Sequence, residues 1–448
     1  MRLPRELHLQ VATQRLRFPL KNRTYRICHL AKYYPPTPGG IETHVQTLAR
    51  AQSALGSTVQ VICVNGHSET RKSSRHSQTS YAKGVLGQPD QITRTQYDRD
   101  QAVKVIRAGR WFSIARFDLL RLSGYKPLWA IFQQSWDVVH LHTPNPTMLV
   151  AWLVVSTLSW LLRKPTRTLV ITHHSDIIRQ RLLKYALRPL EYLVYRQASC
   201  ILTTSAAYIE GSRFLRAFRD RVSPLPLGVD CAPYWNPTAI AQRHVLQLRQ
   251  QWGSPLWLCV GRLVYYKALH VAIEALTQVP GRLLIIGVGA LESELRELVH
   301  RHGLEDRVIW YGQASAEELI AAYHAATALW LPSNVRSEGF GIVQLEAMAS
   351  GCPVINTAIP CSGVPWVSRH EQEGLTIPIS HPTALAQAAQ RLLDEPNLRA
   401  QLAIASRQRV HQEFDHILMA KRSLDLYQQA LAKTHLDIPL FVKPLSSK

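Results

Sequence analysis

Short apolar runs recur along the whole chain, each separated from the next by a stretch of helical periodicity. Runs that are apolar at consecutive positions, without polar alternation, describe strands buried on both faces. That requires parallel sheets with helices packed on either side. In the first half the expected strands are 25–31, 58–64, 103–107, 138–142, 168–172, 200–203 and 222–226; in the second they are 256–261, 282–287, 308–311, 326–331 and 353–356. Helical patterns lie between them, as at 42–55, 206–214, 268–276, 291–302, 316–325 and 383–393. At 448 residues the chain exceeds what one core supports. Two doubly wound α/β sheets, one per half, are the economical fold. The expected boundaries are 1–225 for a first Rossmann-like domain, 226–410 for a second, 411–434 for a helix crossing back to the first, and 435–448 for a tail. The join falls near 224–243, rich in proline and turn residues.

Charge divides at the same place. The net charge is +21, yet residues 226–448 hold 19 basic and 19 acidic residues, so residues 1–225, with 33 basic and 12 acidic, carry all of it. Such an asymmetry speaks about partners: nucleic acid, an anionic membrane or a phosphorylated ligand. Seven scattered cysteines without C-x-x-C or zinc spacing read as small core residues in a reducing compartment. Residues 1–26 are basic and lack an apolar signal-peptide segment, and the longest apolar stretch, 148–162, falls short of the roughly twenty residues that span a bilayer. The expectation is a cytoplasmic protein, membrane-associated at most on the cytoplasmic face.

Residues 332–353 read P-S-N-V-R-S-E-G-F-G-I-V-Q-L-E-A-M-A-S-G-C-P: a glycine-bracketed loop after a buried strand, then a helix. Such a corner aims backbone N–H groups and a positive helix end at an anion above the sheet. The acids Glu338 and Glu346 would then serve sugar hydroxyls. Gly39 and Gly40, at the turn after the first strand, let the backbone approach a phosphate closely. Arg262 and Lys267 follow the strand 256–261 at the carboxyl edge where α/β proteins bind ligands, five positions apart and suited to a diphosphate. Gly287-Val288-Gly289 is a weaker turn of the same kind. Histidines end two strands, in D-V-V-H-L-H-T-P-N-P (137–146) and I-T-H-H-S-D (171–176). They do not imply zinc, because no helical H-x-x-x-H or cysteine partner accompanies them. Asp98-Arg99-Asp100 mimics a metal-binding D-x-D but falls in 67–101, a polar, basic, unpatterned segment expected to be a surface loop. A phosphate-binding G-x-x-x-x-G-K-[ST] is absent from the sequence.

Taken in order, Gly39-Gly40, H-H-S-D at 173–176, G-R-L-x-x-x-K at 261–267 and R-S-E-G-F-G-I-V-Q-L-E-A-M-A at 336–349 resemble the retaining nucleotide-sugar glycosyltransferases of family 4. These group 1 glycosyl transferases have the GT-B fold, and the resemblance covers roughly residues 25–430. It implies that Arg262 and Lys267 grip the donor diphosphate and that Glu346 accepts hydrogen bonds from the ribose hydroxyls. Glu338, with the amides around Phe340 and Gly341, would contact donor sugar and diphosphate. Gly39 and Gly40 would flank the diphosphate, and His174 would stand near the donor sugar, with His173 at a position often aromatic in relatives. One departure is Ala268, where relatives carry a glycine; it bears on how the helix start approaches phosphate.

The resemblance also implies a retaining transfer of a mannosyl- or glucosyl-type hexose to a glycan, lipid-linked or phosphate-bearing acceptor, as in polysaccharide or glycolipid synthesis. Cations and helix ends would stabilise the leaving diphosphate, with no metal or other cofactor expected. His174 and Glu338 are the catalytic candidates. The basic, aromatic segment 107–133 reads either as a helix lying on an anionic membrane or as a core helix with a basic face. A soluble sugar-phosphate synthase or a nucleotide-sugar epimerase of the same fold is the alternative. A nucleic-acid partner is not expected, since charge alone gives only salt-sensitive, nonspecific affinity.

Overall fold

The computed structural model describes residues 24–66, 93–114, 117–121, 126–129, 131, 134–164, 167–176 and 181–436. Ten strands lie in the first half: β1 (Arg26–Leu30), β2 (Thr58–Val64), β3 (Gln96–Asp100), β4 (Val103–Ala108), β5 (Arg110–Ile114), β6 (Phe117–Leu120), β7 (Val138–Thr143), β8 (Thr168–His173), β9 (Cys200–Thr203) and β10 (Val222–Pro224). Eight of them form one sheet in the order β10-β9-β8-β7-β1-β2-β4-β3, parallel except at the β3 edge. The second half holds β11 (Leu256–Val260), β12 (Arg282–Ile286), β13 (Val308–Gly312), β14 (Ala328–Trp330), β15 (Val354–Thr357) and β16 (Gly374–Ile377), ordered β13-β12-β11-β14-β15-β16. Strands β2, β7, β8 and β9 are buried at nearly every position, as parallel strands covered on both faces must be, and β7 and β8 bury histidines among their apolar residues.

Each sheet reverses its winding once, between β1 and β7 in the first and between β11 and β14 in the second. Neighbouring crossover helices diverge at such a point and leave a crevice beyond the strand ends. The loops holding Gly39–Gly40, Arg262–Lys267 and Glu338 follow β1, β11 and β14. All three therefore open at a reversal point.

The chain crosses between the sheets twice, side by side. Val229 N–H donates to Phe414 O (2.9 Å), and His416 N–H donates back to Val229 O (3.1 Å). The crossing thus comes at Asp415, a little beyond the expected 411, because Val410 and Phe414 are still buried in the second domain's core. The helix His416–Leu436 then lies on Gly40–Ala54 and sinks Met419, Ala420, Leu424 and Tyr427 into one face of the first sheet. A large buried apolar side chain contributes about 1.5–3 kcal/mol, so this helix is an integral layer of the first domain.

Three expectations need correction. Of the supposed loop 67–101, residues 67–92 lie outside the described ones, but 96–100 form edge strand β3. A polar edge strand shows no apolar alternation to read. Its D-x-D is a brace: Asp98 pairs with Arg107 (2.9 Å), while Asp100 accepts from Arg50, Tyr34 (2.6 Å) and Gln46 (2.9 Å). Second, residues 107–133 are not one helix of either kind. Arg107 and Ala108 finish β4, and β5 pairs antiparallel with β6. The hairpin is fixed by fully buried Asp118, which takes the Arg110 guanidinium at 3.0 Å and Lys32 at 3.6 Å. Third, β16 begins at the glycine that ends E-Q-E-G (371–374) and adds an unforeseen edge to the second sheet.

Candidate active site

Two helices begin face to face across the crevice. Gly40–Ala54 starts after Gly39 and Ile342–Ser350 after Gly341, and neither first turn has a side-chain cap. A side chain at Gly40 would begin 3.5 Å from Ile342 Cγ2, which shows how closely the two helix starts approach. Gly341 holds φ 73°, a left-handed turn that favours glycine, and a Cβ there would press on Leu331 and Gln344. Uncapped helix starts direct free N–H groups and a partial positive charge into the space between them. The crevice is built for an anion.

The cations stand at its floor. Lys267 Nζ lies 2.6 Å from Glu338 Oε2, both side chains nearly buried. Burial pushes the ammonium down, but the Glu338 carboxylate outweighs this and leaves it above its ordinary range. Arg262 is exposed and steadied by a hydrogen bond to Tyr266 OH (3.1 Å). Ala268 takes φ 48°, ψ 42°. The alanine therefore keeps the left-handed turn a glycine would adopt, at a cost of about 1–2 kcal/mol. Its methyl is 1% exposed, and that burial offsets about 0.8 kcal/mol of the strain.

Glu346 is buried, and its Oε2 accepts from Tyr323 OH (2.6 Å). Burial raises its carboxyl to about 7, although Tyr323 and Lys267 both pull downward. The Phe340 ring is 2% exposed among Trp366 and Phe414, so it anchors the loop and leaves only its backbone for a ligand. His174 follows β8, 7% exposed, and its carbonyl would stand 3.1 Å from a side chain placed on Gly339. The structure thus brings Gly39, His174, Arg262, Lys267, Glu338, Phe340 and Gly341 to facing loops of one crevice, with Gly40 at a helix start and Glu346 on the helix Ile342–Ser350 behind them.

Several residues escaped the sequence. Arg336 forms an ion pair with Asp176 across the crevice and stacks over Tyr208 at 4.7 Å, clamping the two domains. Burial raises the Asp176 carboxyl, yet hydrogen bonds from His173 and Ser212 and the Arg336 charge hold it well below the usual range. His173 is thus a brace, also hydrogen-bonded to Tyr195 OH (2.7 Å). Glu42 folds over Gly39 within electrostatic reach of Arg262; burial raises its carboxyl against that pull. No local pattern marks a contact between loops so far apart in the chain.

The strand-end histidines form a buried group with His29 and His44. One nitrogen each of His44, His142 and His174 lie within 4.8 Å of one another, as do those of His29, His140 and His142. This donor set was not expected from the spacing. However, His29 Nδ1 meets His142 Nε2 (3.0 Å), His142 Nδ1 meets His174 Nε2 (3.2 Å), and His140 is held by Thr172 and Tyr427. With His29 Nε2 bonded to Gln52 Oε1 (2.8 Å), both ring nitrogens of His29, His140 and His142 are engaged, so an ion could enter only by breaking these bonds.

Residues 39–228 match the glycosyl transferase 4-like domain, and residues 246–409 match the group 1 glycosyl transferases. Among curated proteins, the O-antigen chain mannosyltransferase C of Escherichia coli is 26% identical over 400 residues, 88% of this chain and 96% of that one. The D-rhamnosyltransferase WbpZ of Pseudomonas aeruginosa is 29% identical over 390 residues, 87% and 92% of the two chains. Among solved structures, a sucrose-phosphate synthase from Thermosynechococcus elongatus superposes with a TM-score of 0.68 at 24% identity, covering 91% of this chain and all of that one. HepE of Anabaena in complex with UDP-glucose gives 0.65 at 19% identity, with 90% and 99% covered. With both halves matched in order and two doubly wound sheets facing across a crevice, the chain belongs to the group 1 glycosyl transferases of the GT-B fold and is an enzyme that transfers glycosyl groups.

Proposed function

We propose that this enzyme moves a hexosyl group of mannosyl or glucosyl type, with retention, from a nucleoside-diphosphate sugar to a glycan borne on a lipid or phosphate carrier. The observation that carries the reading is the pair of uncapped helix starts facing each other, with Glu338, in the loop that leads to the second, paired to Lys267. The diphosphate lies in that gap, held by Arg262, Lys267 and the amides around Phe340 and Gly341. The ribose hydroxyls donate to Glu346, and the sugar extends towards Glu338 and His174. As the anomeric C–O bond breaks, negative charge grows on the leaving oxygen, and preorganised cations and N–H groups stabilise it there. These groups offset that charge without a divalent ion. A double displacement needs a free carboxylate nucleophile. Asp176, close to His174 in the chain, is engaged by Arg336, His173 and Ser212, which favours attack from the face the diphosphate leaves.

The mannosyl preference is supported by the names of the relatives, one of which, from Mycobacterium tuberculosis, is called GDP-mannose-dependent. Thermal shifts with GDP, UDP and ADP test the donor. Saturating ligand at a hundred times Kd adds about 2.7 kcal/mol of stability, and GDP is expected to give the largest shift, unchanged by EDTA. Transfer from the matching sugar nucleotide should conserve anomeric configuration by NMR of the product. An inverted product rules out the retaining assignment.

A membrane-linked acceptor fits the cationic first domain. That domain exposes Trp111 (63%) and Phe112 on the hairpin, with Trp160, Leu161 and Leu162 just before Arg163 and Lys164. Among the described residues no helix is long and apolar enough to cross a membrane. Binding to anionic vesicles is expected to exceed binding to neutral ones and to weaken with salt. Equal, negligible binding to both removes the membrane from the proposal.

A further inference from the structure

The buried histidines form a chain whose direction is fixed from one end. Its origin is the Ala420 carbonyl, in the helix that returns from the second domain: the Ser423 hydroxyl donates its only proton there (2.6 Å). Ser423 Oγ can therefore only accept from Gln52 Nε2 (2.8 Å), which sets the orientation of the Gln52 amide. The other proton of that amide goes to Tyr427 OH (3.1 Å). Tyr427 then donates to His140 Nδ1 (2.5 Å), and His140 Nε2–H donates to Thr172 (2.7 Å). Gln52 Oε1 accepts from His29 Nε2 (2.8 Å).

A neutral imidazole carries one proton. With it on Nε2, His29 Nδ1 is bare and must accept from His142 Nε2 (3.0 Å). His142 Nδ1 is then bare and accepts from His174 Nε2 (3.2 Å). His174 keeps its lone pair on Nδ1. Burial holds the whole chain neutral: it lowers His29 to about 4, and it takes His142 and His174 well below their ordinary range, helped by the neighbouring imidazoles.

We propose that Gln52, acting through His29 and His142, is a positioning residue that fixes His174 as the Nε2–H tautomer, so that His174 meets the donor sugar as a hydrogen-bond acceptor through Nδ1. This rests on the placement of His174 beside the donor sugar. The orienting partner of a functional histidine decides which nitrogen faces the ligand. Here the partner is anchored in the C-terminal crossing helix, far from the crevice in sequence.

Nitrogen-15 NMR of histidine-labelled protein tests the tautomer directly. The expected spectrum has pyrrole-type Nε2 and pyridine-type Nδ1 signals for His29, His142 and His174. Gln52→Met deletes the acceptor and should mix the His174 tautomers, lowering kcat about ten- to a hundredfold with nucleotide affinity unchanged. A proton on Nδ1 of His174 in the wild type overturns the proposal, whether or not any variant folds. Stoichiometric zinc uptake through His174 Nε2 overturns it equally, as does full turnover in Gln52→Met with mixed tautomers. Full turnover by His174→Ala would instead remove the donor-sugar placement while leaving the tautomer assignment standing.

Discussion

Replacing Lys267 with methionine is expected to lower kcat about 10²–10³-fold, the usual loss when one preorganised group facing developing charge is removed. The same change strips Glu338 of the cation 2.6 Å away, so it also costs stability. Breaking a buried pair costs about 3–5 kcal/mol; both side chains here retain 12% exposure, so the lower end applies. The companion Glu338→Gln separates binding from chemistry. The Glu338 carboxylate pairs with the lysine, and a diphosphate must compete with it. Neutralising Glu338 should therefore strengthen nucleoside-diphosphate binding several-fold, since a repelling charge at close range is gone, yet still reduce turnover because the donor sugar loses its contact. Calorimetry on both variants, with nucleoside and nucleoside diphosphate as ligands, checks the assignment. Lys267→Met should weaken only the diphosphate. If it weakens both ligands alike, Lys267 does not hold the phosphates.

The parallel core was legible because strands buried on both faces leave an unbroken apolar run, as in L-W-L-C-V at β11 and L-L-I-I within β12. The site loops were legible because strand ends at a reversal point are where glycines and cations accumulate. Strand β3 was hidden because Q-Y-D-R-D is held by its neighbour's backbone and by side chains reaching from the helix Gly40–Ala54, none of which is local. The hairpin β5–β6 was hidden by its charges, whose partner Asp118 is buried only in the folded state. Arg336 and Asp176 stand 160 positions apart and Gln52 and Ser423 stand 371 apart, so no window of sequence joins them. Ala268 shows the opposite case. A departure from the family's glycine bore on how the helix start approaches phosphate, but the backbone at Ala268 stays left-handed between the turn Tyr265–Lys267 and the helix Leu269–Leu276.

Nucleotide affinity is expected to fall as pH drops below about 7, and Glu346 is the reason. Its carboxyl sits near 7, raised by burial from an unfolded value near 4.5. The folded state therefore favours the protonated form: this group's stabilisation is complete below about 4.5 and is lost as pH rises through about 7. The ligand favours the other form, because two ribose hydroxyls donate and need an ionised acceptor; one oxygen already takes Tyr323 OH. Binding should thus release a proton near neutral pH and weaken towards tenfold per unit below about 7, while staying flat above. Diphosphates titrate near 6 themselves, so a phosphate-free nucleoside is the cleaner probe. Glu346→Gln should flatten its pH dependence and weaken binding about ten- to a hundredfold, the worth of a hydrogen bond to a charged group at about 1.5–3 kcal/mol. The readout is calorimetry from about pH 5.5 to 8 in buffers of different ionisation enthalpy, which counts the proton. Affinity that stays level across that range in the wild type, or a slope that survives in Glu346→Gln, assigns the ribose to another residue.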